Sequence, residues 1–378
     1  MARTPNIYLL LSILFFILFS GCQKDNNVIT QPQTDETLIV YMAADNNLRD
    51  YAIQNSYGII EGLKRGQRVI VFLDNGEDQS YLFQLDDPTS KSIYQNKVKT
   101  YPNRNSGTPS VLYGVLNDII QRYPSTNYDL ILWSHGTSWL PSNRVQTKSF
   151  GLDHTSSIDI HELAMALPVK FRSIIFDACL MGSVEVISQL KDKADYIVAS
   201  PTDILAEGLP YSEITPILLD KKRPIEERLE KVCDAFYSFY NNMKNPSKRS
   251  ASIALYDTKQ ITKLQNDFKR VIGAQPQVHV LNQSIINLNL KYPCFDFMDM
   301  VKQYYGDKSY NDLKAPLQKL VLYSKHTNHF SGTINLEGIC GINCYVPMYK
   351  NHIQEYYYKT LQWDIHTNYH KAIFPYVQ

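Results

Sequence analysis

Short apolar runs that alternate with longer helical segments constrain the fold of this chain more than any other feature of its sequence. Continuous runs rich in β-branched residues are typical of strands buried on both faces, as in parallel sheets covered by helices. The pattern therefore predicts an α/β fold, a sandwich in which helices flank a mostly parallel central sheet. The strand candidates lie at 38–42, 68–73, 130–133, 173–176 and 196–199, and the helix candidates at 46–64, 109–122, 158–167 and 181–191.

The pattern changes after residue 211, where longer helical segments are mixed with isolated short strands. We therefore predict a core over residues 36–220 and a C-terminal α+β subdomain over residues 221–378 that packs on that core. In this second part, helix candidates lie at 224–243 and 258–272, and strand candidates at 252–256, 332–336 and 342–347.

The N-terminal segment predicts export. An apolar run over residues 7–19 follows Arg3 and is shorter than the roughly 20 residues that a membrane-spanning helix needs. Such a run is typical of a secretory signal peptide. The run ends in Leu18-Phe19-Ser20-Gly21-Cys22, which resembles the bacterial lipobox, although Phe19 stands where leucine is usual.

The lipobox resemblance implies that Cys22 becomes the N-terminal residue and carries a diacylglyceryl group. We expect a lipoprotein signal peptide over residues 1–21 and a flexible, polar tether over residues 22–35. The chain would then reside in a bacterial cell envelope, at the outer membrane or cell surface, and would touch the membrane only through this lipid anchor. The alternative is an ordinary cleaved signal peptide in which the cysteine is incidental.

The charge balance argues against nucleic acid as a partner. Lys and Arg together number 38 against 37 for Asp and Glu, so the formal charge is +1 and there is no basic surplus. The 6 cysteines are too few for a disulfide scaffold in a chain of 378 residues. We expect a monomer whose cysteines have separate roles.

Two of the strand candidates end in reactive side chains. Ser134-His135-Gly136 follows one strand, and Asp177-Ala178-Cys179 follows the next. Ligands bind beyond the carboxyl ends of the strands in open parallel sheets, so His135 and Cys179 would supply a base and a nucleophile at one edge. Taken singly, each residue has a structural alternative: Cys179 as a small buried hydrophobe, and His135 as a packed strand-end residue.

Two sequence blocks resemble the clostripain family of cysteine peptidases, which belongs to the caspase-like clan. They are Leu132-Trp133-Ser134-His135-Gly136 and Phe176-Asp177-Ala178-Cys179-Leu180-Met181-Gly182. The resemblance implies a caspase-like α/β/α sandwich and a Cys179–His135 dyad that hydrolyses peptide bonds through an acyl-enzyme, with no cofactor. The backbone N–H groups of Gly136 and Cys179 would form the oxyanion hole. Further segments that resemble the family lie at 41–48, 158–167, 183–186, 208–211 and 341–347.

The resemblance also implies a preference for a basic residue before the scissile bond. A guanidinium or ammonium group needs a carboxylate at the base of its pocket. Asp177 is the first candidate for this carboxylate, and Glu207 or Asp203 is the second. Each acid has a structural alternative, which for Asp177 is to cap the turn that follows it.

The sequence departs from the family pattern in two places. The loop after His135 reads Gly136-Thr137-Ser138-Trp139, where the family often has three glycines and a tryptophan, and fewer glycines narrow the backbone freedom of this loop. The segment after Ser200 lacks the acidic pattern that is usual there. These departures concern the substrate preference more than the reaction.

The polar loop after Trp139 contains two basic residues. Related enzymes can be activated by self-cleavage after a basic residue between the His and Cys blocks, which implies Lys148, or else Arg144, as the cleavage point. The alternative is that both are solvated surface charges.

Two short patterns that could suggest a metal site are discounted. His326 with His329 and Cys340 with Cys344 lie in different contexts, and neither pair reaches the three or four ligands that zinc needs. We expect no metal site.

The sequence thus predicts an exported, lipid-anchored cysteine endopeptidase that cleaves peptide or protein substrates after Arg or Lys. Two alternatives stay open. One is a catalytically inactive surface-binding lipoprotein on the same fold, and the other is a peptidase that prefers a non-basic residue before the scissile bond.

Overall fold

The computed structural model describes residues 30–102, 104–140, 149–154, 156–274, 285–348 and 350–374. The predicted signal peptide, Cys22 and the two loop residues Arg144 and Lys148 lie outside these ranges. Within the described ranges, every helix is too short or too polar to cross a membrane.

A nine-stranded sheet forms the centre of the molecule, and its middle strand, Ser125–Trp133, lies between Thr34–Ala43 and Phe171–Asp177. Its five central strands run parallel, which confirms all five strands predicted for the first half of the chain. These strands are β1 (Thr34–Ala43), β2 (Val69–Asp74), β5 (Ser125–Trp133), β8 (Phe171–Asp177) and β9 (Ala194–Ala199).

Antiparallel strands extend the sheet at both edges. On one side, β2 is followed by β3 (Gln79–Leu85) and β4 (Lys97–Pro102). On the other side, β9 is followed by β10 (Ser252–Asp257) and β12 (Val321–His326). Strands that follow residue 220 thus complete the sheet begun by the predicted core, and the two regions share one layer.

Helices cover both faces of the sheet, as the alternation of side chains along β1 shows. Ile39, Tyr41 and Ala43 point into one hydrophobic layer, whereas Leu38 and Val40 point into the other. The first layer packs against α2 (Pro109–Arg122), α3 (Ile160–Ala166), α4 (Val184–Leu190) and α7 (Ile261–Ala274), and the second against α1 (Arg49–Gly62), α5 (Tyr211–Leu218) and α6 (Ile225–Asn241). This arrangement is the predicted α/β/α sandwich.

The helices next to the reactive strands begin at polar caps. Asp159 accepts a hydrogen bond from the N–H of Glu162, and the Glu162 side chain accepts one in return, so a capping box starts α3. The Ser183 side chain accepts a hydrogen bond from the N–H of Val186 and starts α4 directly after the Cys179 turn.

The C-terminal region adds helices and small two-stranded sheets. The helices are α8 (Phe297–Leu320), α9 (His352–Tyr358), α10 (Gln362–Thr367) and α11 (His370–Ile373), and α8 is interrupted at Gly306, where φ is 79°. The small sheets pair β6 (Phe150–Asp153) with β7 (Ser156–Ile158), β11 (Cys294–Asp296) with β15 (Asn343–Tyr345), and β13 (His329–Phe330) with β14 (Ile334–Asn335). Short 3-10 turns lie at Ile93–Asn96, Pro246–Lys248 and Thr258–Gln260.

Strand β15 carries this region onto the turn that follows Cys179. The N–H of Asn343 donates to the carbonyl of Gly182 at 2.9 Å, and its side-chain amide donates to the carbonyl of Pro201 at 2.9 Å. Asn343 is buried, so these bonds attach the C-terminal region to the loops after β8 and β9.

Candidate active site

The strands that carry His135 and Cys179 are direct neighbours in the sheet. β5 pairs with β8 in parallel, with Trp133 opposite Asp177, and the N–H of Ser134 donates to the carbonyl of Asp177 at 3.2 Å. Both chains leave the sheet at its carboxyl edge from this point. His135 and Cys179 consequently line one open cavity of about 600 Å³, as the sequence predicts for the base and the nucleophile.

The backbone of Gly136 packs against the backbone of Cys179. A β-carbon at Gly136 would lie 2.6 Å from the carbonyl oxygen of Cys179 and 3.0 Å from the β-carbon of Ala178. Such distances are shorter than non-bonded atoms tolerate, so only glycine fits here. The glycine therefore sets how closely the His135 loop and the Cys179 loop approach each other.

The two N–H groups predicted for the oxyanion hole are open donors. Among the described residues, neither the N–H of Gly136 nor that of Cys179 has a hydrogen-bond acceptor. The neighbouring N–H groups are engaged: that of Thr137 donates to Ser149, and that of Leu180 to Thr202. Open donors beside a nucleophile can bind the oxygen of a tetrahedral intermediate.

Cys179 is followed by a backbone conformation that is rare outside glycine. Leu180 has a φ of 64° and is fully buried. A non-glycine residue in the left-handed region costs on the order of 1–3 kcal/mol and persists only where the surroundings fix it. Here the Leu180 N–H bond to Thr202 and the packing of the side chain fix the turn, which aims Cys179 at the cavity.

The thiol of Cys179 contacts the segment that follows β9. Its Sγ accepts from the N–H of Ile204 at 3.2 Å and lies 3.5 Å from the carbonyl oxygen of the same residue. Burial and the adjacent negative charge of Asp203 raise the pKa of this thiol, with a smaller contribution from Asp177. Cys179 is therefore a thiol at rest, and a reaction that used it as a nucleophile would have to remove this proton.

The imidazole of His135 contacts a residue from the loop after β1. Its Nε2 lies 2.8 Å from Oδ1 of Asn47, and Asn47 lines the same cavity as His135 and Cys179. Sequence reasoning missed this residue. The signal that could have found it was the position of Asn47 just beyond the carboxyl end of a buried strand, the same rule that identified His135.

Asp177 is buried beneath the cavity, and one of its two carboxylate oxygens accepts hydrogen bonds from the protein. It is 5% exposed, and its Oδ2 accepts hydrogen bonds of 3.0 Å from the N–H of Leu209 and from the hydroxyl of Tyr211. Burial raises its pKa to about 6. Gly208, with a φ of 69°, packs so closely that a β-carbon there would lie 2.7 Å from Oδ2.

The two other acidic candidates lie in different environments. Asp203 lines the cavity, and its carboxylate accepts a 2.8 Å hydrogen bond from the side chain of Asn289. Burial raises the pKa of Asp203. Glu207 is outside the cavity lining, and its carboxylate forms an ion pair with Lys248. The structure thus brings Asp177 and Asp203 to the cavity and does not bring Glu207 there.

Residues from the C-terminal region complete the cavity wall. Lys291, Tyr292, Phe330 and Ser331 line it opposite the β5 and β8 loops, and sequence reasoning did not identify them. Phe330 packs in a small apolar cluster with Leu288, Ile334, Leu336 and Ile339. The substrate cavity is therefore built by both predicted regions of the chain.

The altered loop after His135 is buried under the C-terminal region. Trp139 is 2% exposed, with its ring centroid 4.9 Å from those of Tyr345 and Tyr358. The hydroxyl of Ser138 lies 2.9 Å from that of Ser183. Packing and this hydrogen bond hold the loop where the family often has glycines.

Glu185 in α4 is a second buried carboxylate near this loop. Its Oε1 accepts hydrogen bonds of 3.0 Å from the N–H of Tyr345 and the hydroxyl of Tyr358, whereas its Oε2 is buried with no hydrogen-bond partner among the described residues. Burial raises its pKa to about 7.

The described residues contain one group with the composition of a metal-ligand set. The ligand atoms of Asp45, Asp153 and His154 lie within 4.8 Å of one another. Internal contacts account for the group, because His154 pairs with Asp45 at 2.9 Å and Asp153 accepts from the N–H and hydroxyl of Ser106. Neither the His326–His329 pair nor the Cys340–Cys344 pair belongs to this group, and Cys340 and Cys344 are both free thiols.

Comparisons with known proteins agree with this geometry. A sequence model of the clostripain family matches residues 40–373. A secreted C11 cysteine protease from Bacteroides thetaiotaomicron, in complex with an irreversible peptide inhibitor, superposes with a TM-score of 0.77 at 25% identity, over 89% of this chain and 99% of that one. An inactive zymogen C11 protease from Parabacteroides distasonis gives a TM-score of 0.74 at 26% identity, over 89% and 99% of the two chains. No curated protein sequence matches significantly. The predicted caspase-like fold is thereby confirmed.

Proposed function

The chain belongs to the clostripain family and is a cysteine peptidase, and we propose that it is an endopeptidase that cleaves after Arg or Lys by means of Cys179 and His135. One observation carries this proposal. The cavity that contains the His135 imidazole and the Cys179 thiol also has the buried carboxylate of Asp177 in its wall. A nucleophile, a base and a counter-charge for a cationic side chain are thus present in one site.

The proposed reaction begins with attack of the Cys179 sulfur on the scissile carbonyl. Because the resting thiol is protonated, His135 accepts its proton as the carbon–sulfur bond forms. The oxyanion that develops is bound by the open N–H groups of Gly136 and Cys179. One such donor typically contributes about 100- to 1,000-fold to the rate.

The second half of the reaction returns the proton. The imidazolium of His135 protonates the leaving amine, and the peptide bond breaks to leave a thioester on Cys179. His135 then deprotonates a water molecule, which attacks the thioester. The carbon–sulfur bond breaks, the carboxyl product is released, and the imidazolium returns its proton to the Cys179 sulfur. The chain supplies every proton transfer from its own side chains.

The preference for a basic residue rests on Asp177. Its Oδ2 is occupied by Leu209 and Tyr211, and Oδ1 accepts no hydrogen bond from the described residues, so this oxygen is available to a guanidinium or ammonium group. A cation in the cavity would favour the ionised carboxyl and would form a charge-assisted hydrogen bond with it. Asp203 adds negative charge at the same cavity.

The site of action is part of the same proposal. The apolar run over residues 7–19 and the lipobox-like segment that ends at Cys22 support export, lipid attachment and residence in a bacterial cell envelope. A protein to which the chain is similar is described as secreted. We expect a monomer that meets the membrane only through its anchor.

Hydrolysis of a panel of fluorogenic peptides tests the proposal. The purified protein is assayed on peptides that differ only in the residue before the scissile bond, beside Cys179→Ala as the inactive control. Cleavage after Arg or Lys that is absent in the control is the expected result. Cleavage only after non-basic residues would overturn the proposed preference, and no cleavage by the folded wild-type protein would overturn the proposed activity.

A further inference from the structure

We infer that Asn47 is the positioning residue for His135: its Oδ1 accepts the Nε2–H of the imidazole, which makes Nδ1 the nitrogen that serves the Cys179 thiol. This inference rests on the proposed role of His135 as the base. The observation behind it is the 2.8 Å separation between Nε2 and Oδ1, in a cavity that all three residues line.

The strand order explains how the His135 ring is placed between the loops that carry Asn47 and Cys179. β5 lies between β1 and β8 in the sheet, and both pairings are parallel, so the loops after these three strands leave the same edge side by side. His135 follows the middle strand, Asn47 follows one neighbour and Cys179 the other. The two nitrogens of an imidazole lie on different sides of the ring. Because Nε2 contacts the β1 side, we assign Nδ1 to the β8 side of the ring.

The hydrogen-bond chemistry fixes the tautomer. The side-chain oxygen of asparagine can only accept, so Nε2 must carry the proton that it receives. In a neutral imidazole the other nitrogen is then an acceptor, which is the form that a base needs. Asn47 would thereby hold His135 in the reactive tautomer and orientation, as the third residue does in other nucleophile–base arrangements.

The loop that carries Asn47 is anchored by the residue before it. The side-chain amide of Asn46 donates to the carbonyls of Ala43 at 3.1 Å and Leu152 at 2.6 Å, and its oxygen accepts from the N–H of Leu48 at 2.9 Å. Three hydrogen bonds from one side chain fix the backbone on both sides of Asn47. Asn47 itself is exposed, and the described hydrogen bond of its side chain is the one to His135.

The backbone beside His135 is attached to the same strand end. The hydroxyl of Ser134 donates to the carbonyl of Ala43 at 2.7 Å and accepts from the N–H of Leu152 at 3.1 Å. The residues that precede His135 and Asn47 thus share two backbone partners. This sharing holds the backbones that carry His135 and Asn47 next to each other.

An asparagine in this place has a different effect from a carboxylate. A neutral amide orients the ring without adding the charge that would stabilise the imidazolium. An aspartate would keep the acceptor and favour the charged ring, whereas an alanine would remove the acceptor. Asn47→Ala and Asn47→Asp therefore separate orientation from charge.

The test measures alkylation of Cys179 by iodoacetamide as a function of pH in the full chain. This reagent reports the reactivity of the thiol and does not depend on which peptides are cleaved. The variants are Asn47→Ala, Asn47→Asp and His135→Ala. The matched control is Asn127→Ala: Asn127 lies in β5, near the end opposite to His135, and its side chain makes an exposed hydrogen bond to the carbonyl of Asp35. Thermal melting confirms that each variant is folded.

We expect Asn47→Ala to slow alkylation at neutral pH by about 10-fold or more, part of the roughly 100- to 10,000-fold that a positioned base contributes. In peptide assays kcat should fall by a similar factor with little change in KM. Asn47→Asp should recover most of the rate and move the acidic limb of the profile to higher pH. Asp177, Asp203 and Lys291 also face the cavity and are unchanged in every variant, so the shift belongs to position 47.

Two results would overturn the inference. One is an Asn47→Ala rate equal to that of wild type and of Asn127→Ala. The other is an equal loss in Asn47→Ala and Asn47→Asp with an unmoved acidic limb, which would indicate a loop effect alone. Other results test the proposed function. If His135→Ala does not change the alkylation rate, His135 is not the base, and the inference about Asn47 fails with it. If the enzyme prefers peptides with a non-basic residue, only the assigned substrate changes.

Discussion

The hydroxyl of Tyr211 donates a 3.0 Å hydrogen bond to Oδ2 of Asp177 inside the protein. Tyr211 begins α5, and the N–H of Leu209 binds the same oxygen, so the segment that leads into this helix holds the carboxylate from one side. The second oxygen accepts no hydrogen bond from the described residues, and Asp177 lines the cavity. Burial raises the pKa of the carboxyl to about 6, close enough to neutrality for its charge to vary within the working range of a peptidase.

Loss of the Asp177 charge should remove the proposed preference for basic residues. Breaking a buried charge pair typically costs 2–5 kcal/mol, which corresponds to about 30-fold or more in kcat/KM. We expect Asp177→Asn to lose at least this factor on Arg and Lys peptides and much less on neutral ones. Glu207→Gln is the control, because Glu207 pairs with Lys248 outside the cavity lining. An unchanged rate of Asp177→Ala on an Arg peptide would rule out the assignment.

The same carboxyl should make substrate preference depend on pH. Below about pH 6 in the free enzyme Asp177 is protonated and neutral, so it binds a cation poorly, and above that pH it is ionised. The ratio of kcat/KM for an Arg peptide to that for a neutral peptide should therefore rise with pH through this region. Taking the ratio cancels the titration of His135 and Cys179. A ratio that stays flat in the wild type would contradict the prediction, and a flat ratio is expected for Asp177→Asn.

A side chain at position 136 should disturb the oxyanion hole. The β-carbon of Gly136→Ala would meet the Cys179 carbonyl at 2.6 Å, so the two loops must separate and their N–H groups lose alignment. We expect kcat to fall by about 100-fold or more, the size of one lost oxyanion donor. Gly114→Ala is the matched control, because its β-carbon would meet no atom within 4 Å on helix α2. Equal activity of both variants would show that the close approach is not needed.

Glu185 should make the folded protein less stable as the pH rises. The pKa of its buried carboxyl is about 7 in the folded chain, against an ordinary 4.5 in the unfolded chain. The folded chain therefore binds the proton more tightly, and the stabilisation of the fold that is present below pH 4.5 is lost as the pH rises through 7. Glu185→Gln removes this dependence. At alkaline pH the variant should gain stability on the order of 3 kcal/mol relative to wild type, and the gain should shrink toward pH 5. Denaturant unfolding at several pH values measures it, and a gain independent of pH would contradict the titration.

Self-cleavage is expected in the loop between the His and Cys blocks. We expect an active preparation to contain a new N-terminus after Lys148, or after Arg144, and Lys148→Ala to delay its appearance. N-terminal sequencing of the purified sample measures the cut, with the Cys179→Ala variant as the uncleaved control. An intact chain with full activity would exclude this processing.

The parts of the fold that depend on local pattern could be predicted from the sequence. The five central strands are continuous apolar runs because both of their faces are covered, and the pattern gave their positions to within a few residues. The edge strand β4 escaped notice, since exposed Lys97 and half-buried Lys99, which pairs with Asp118, give it no apolar run. The merger of β10 and β12 with the core sheet depends on pairings between distant segments, which local periodicity does not contain.

The same distinction applies to the site: local sequence marks some of its residues, and pairings between distant segments determine the others. His135, Cys179 and Asp177 stand at strand ends that the sequence marks, and the structure brings them to one cavity. The place of Asn47 just beyond a strand end could have marked it as a cavity residue, but its contact with His135 could not be predicted, because that contact depends on β1 lying beside β5 in the sheet. Glu207 is drawn to Lys248, which lies 41 residues away in the chain. Spacing along the sequence carries no information about such a pair.

The pairing of β9 with β10 has a consequence for any shortened form of this protein. A chain that ended near residue 220 would keep His135, Cys179 and Asp177, yet it would expose the hydrogen-bonding edge of β9 from Tyr196 to Ala199, where β10 now lies. An apolar, unpaired edge strand is a template for association with other chains. Such a fragment should therefore aggregate, and the smallest soluble form must extend through β12.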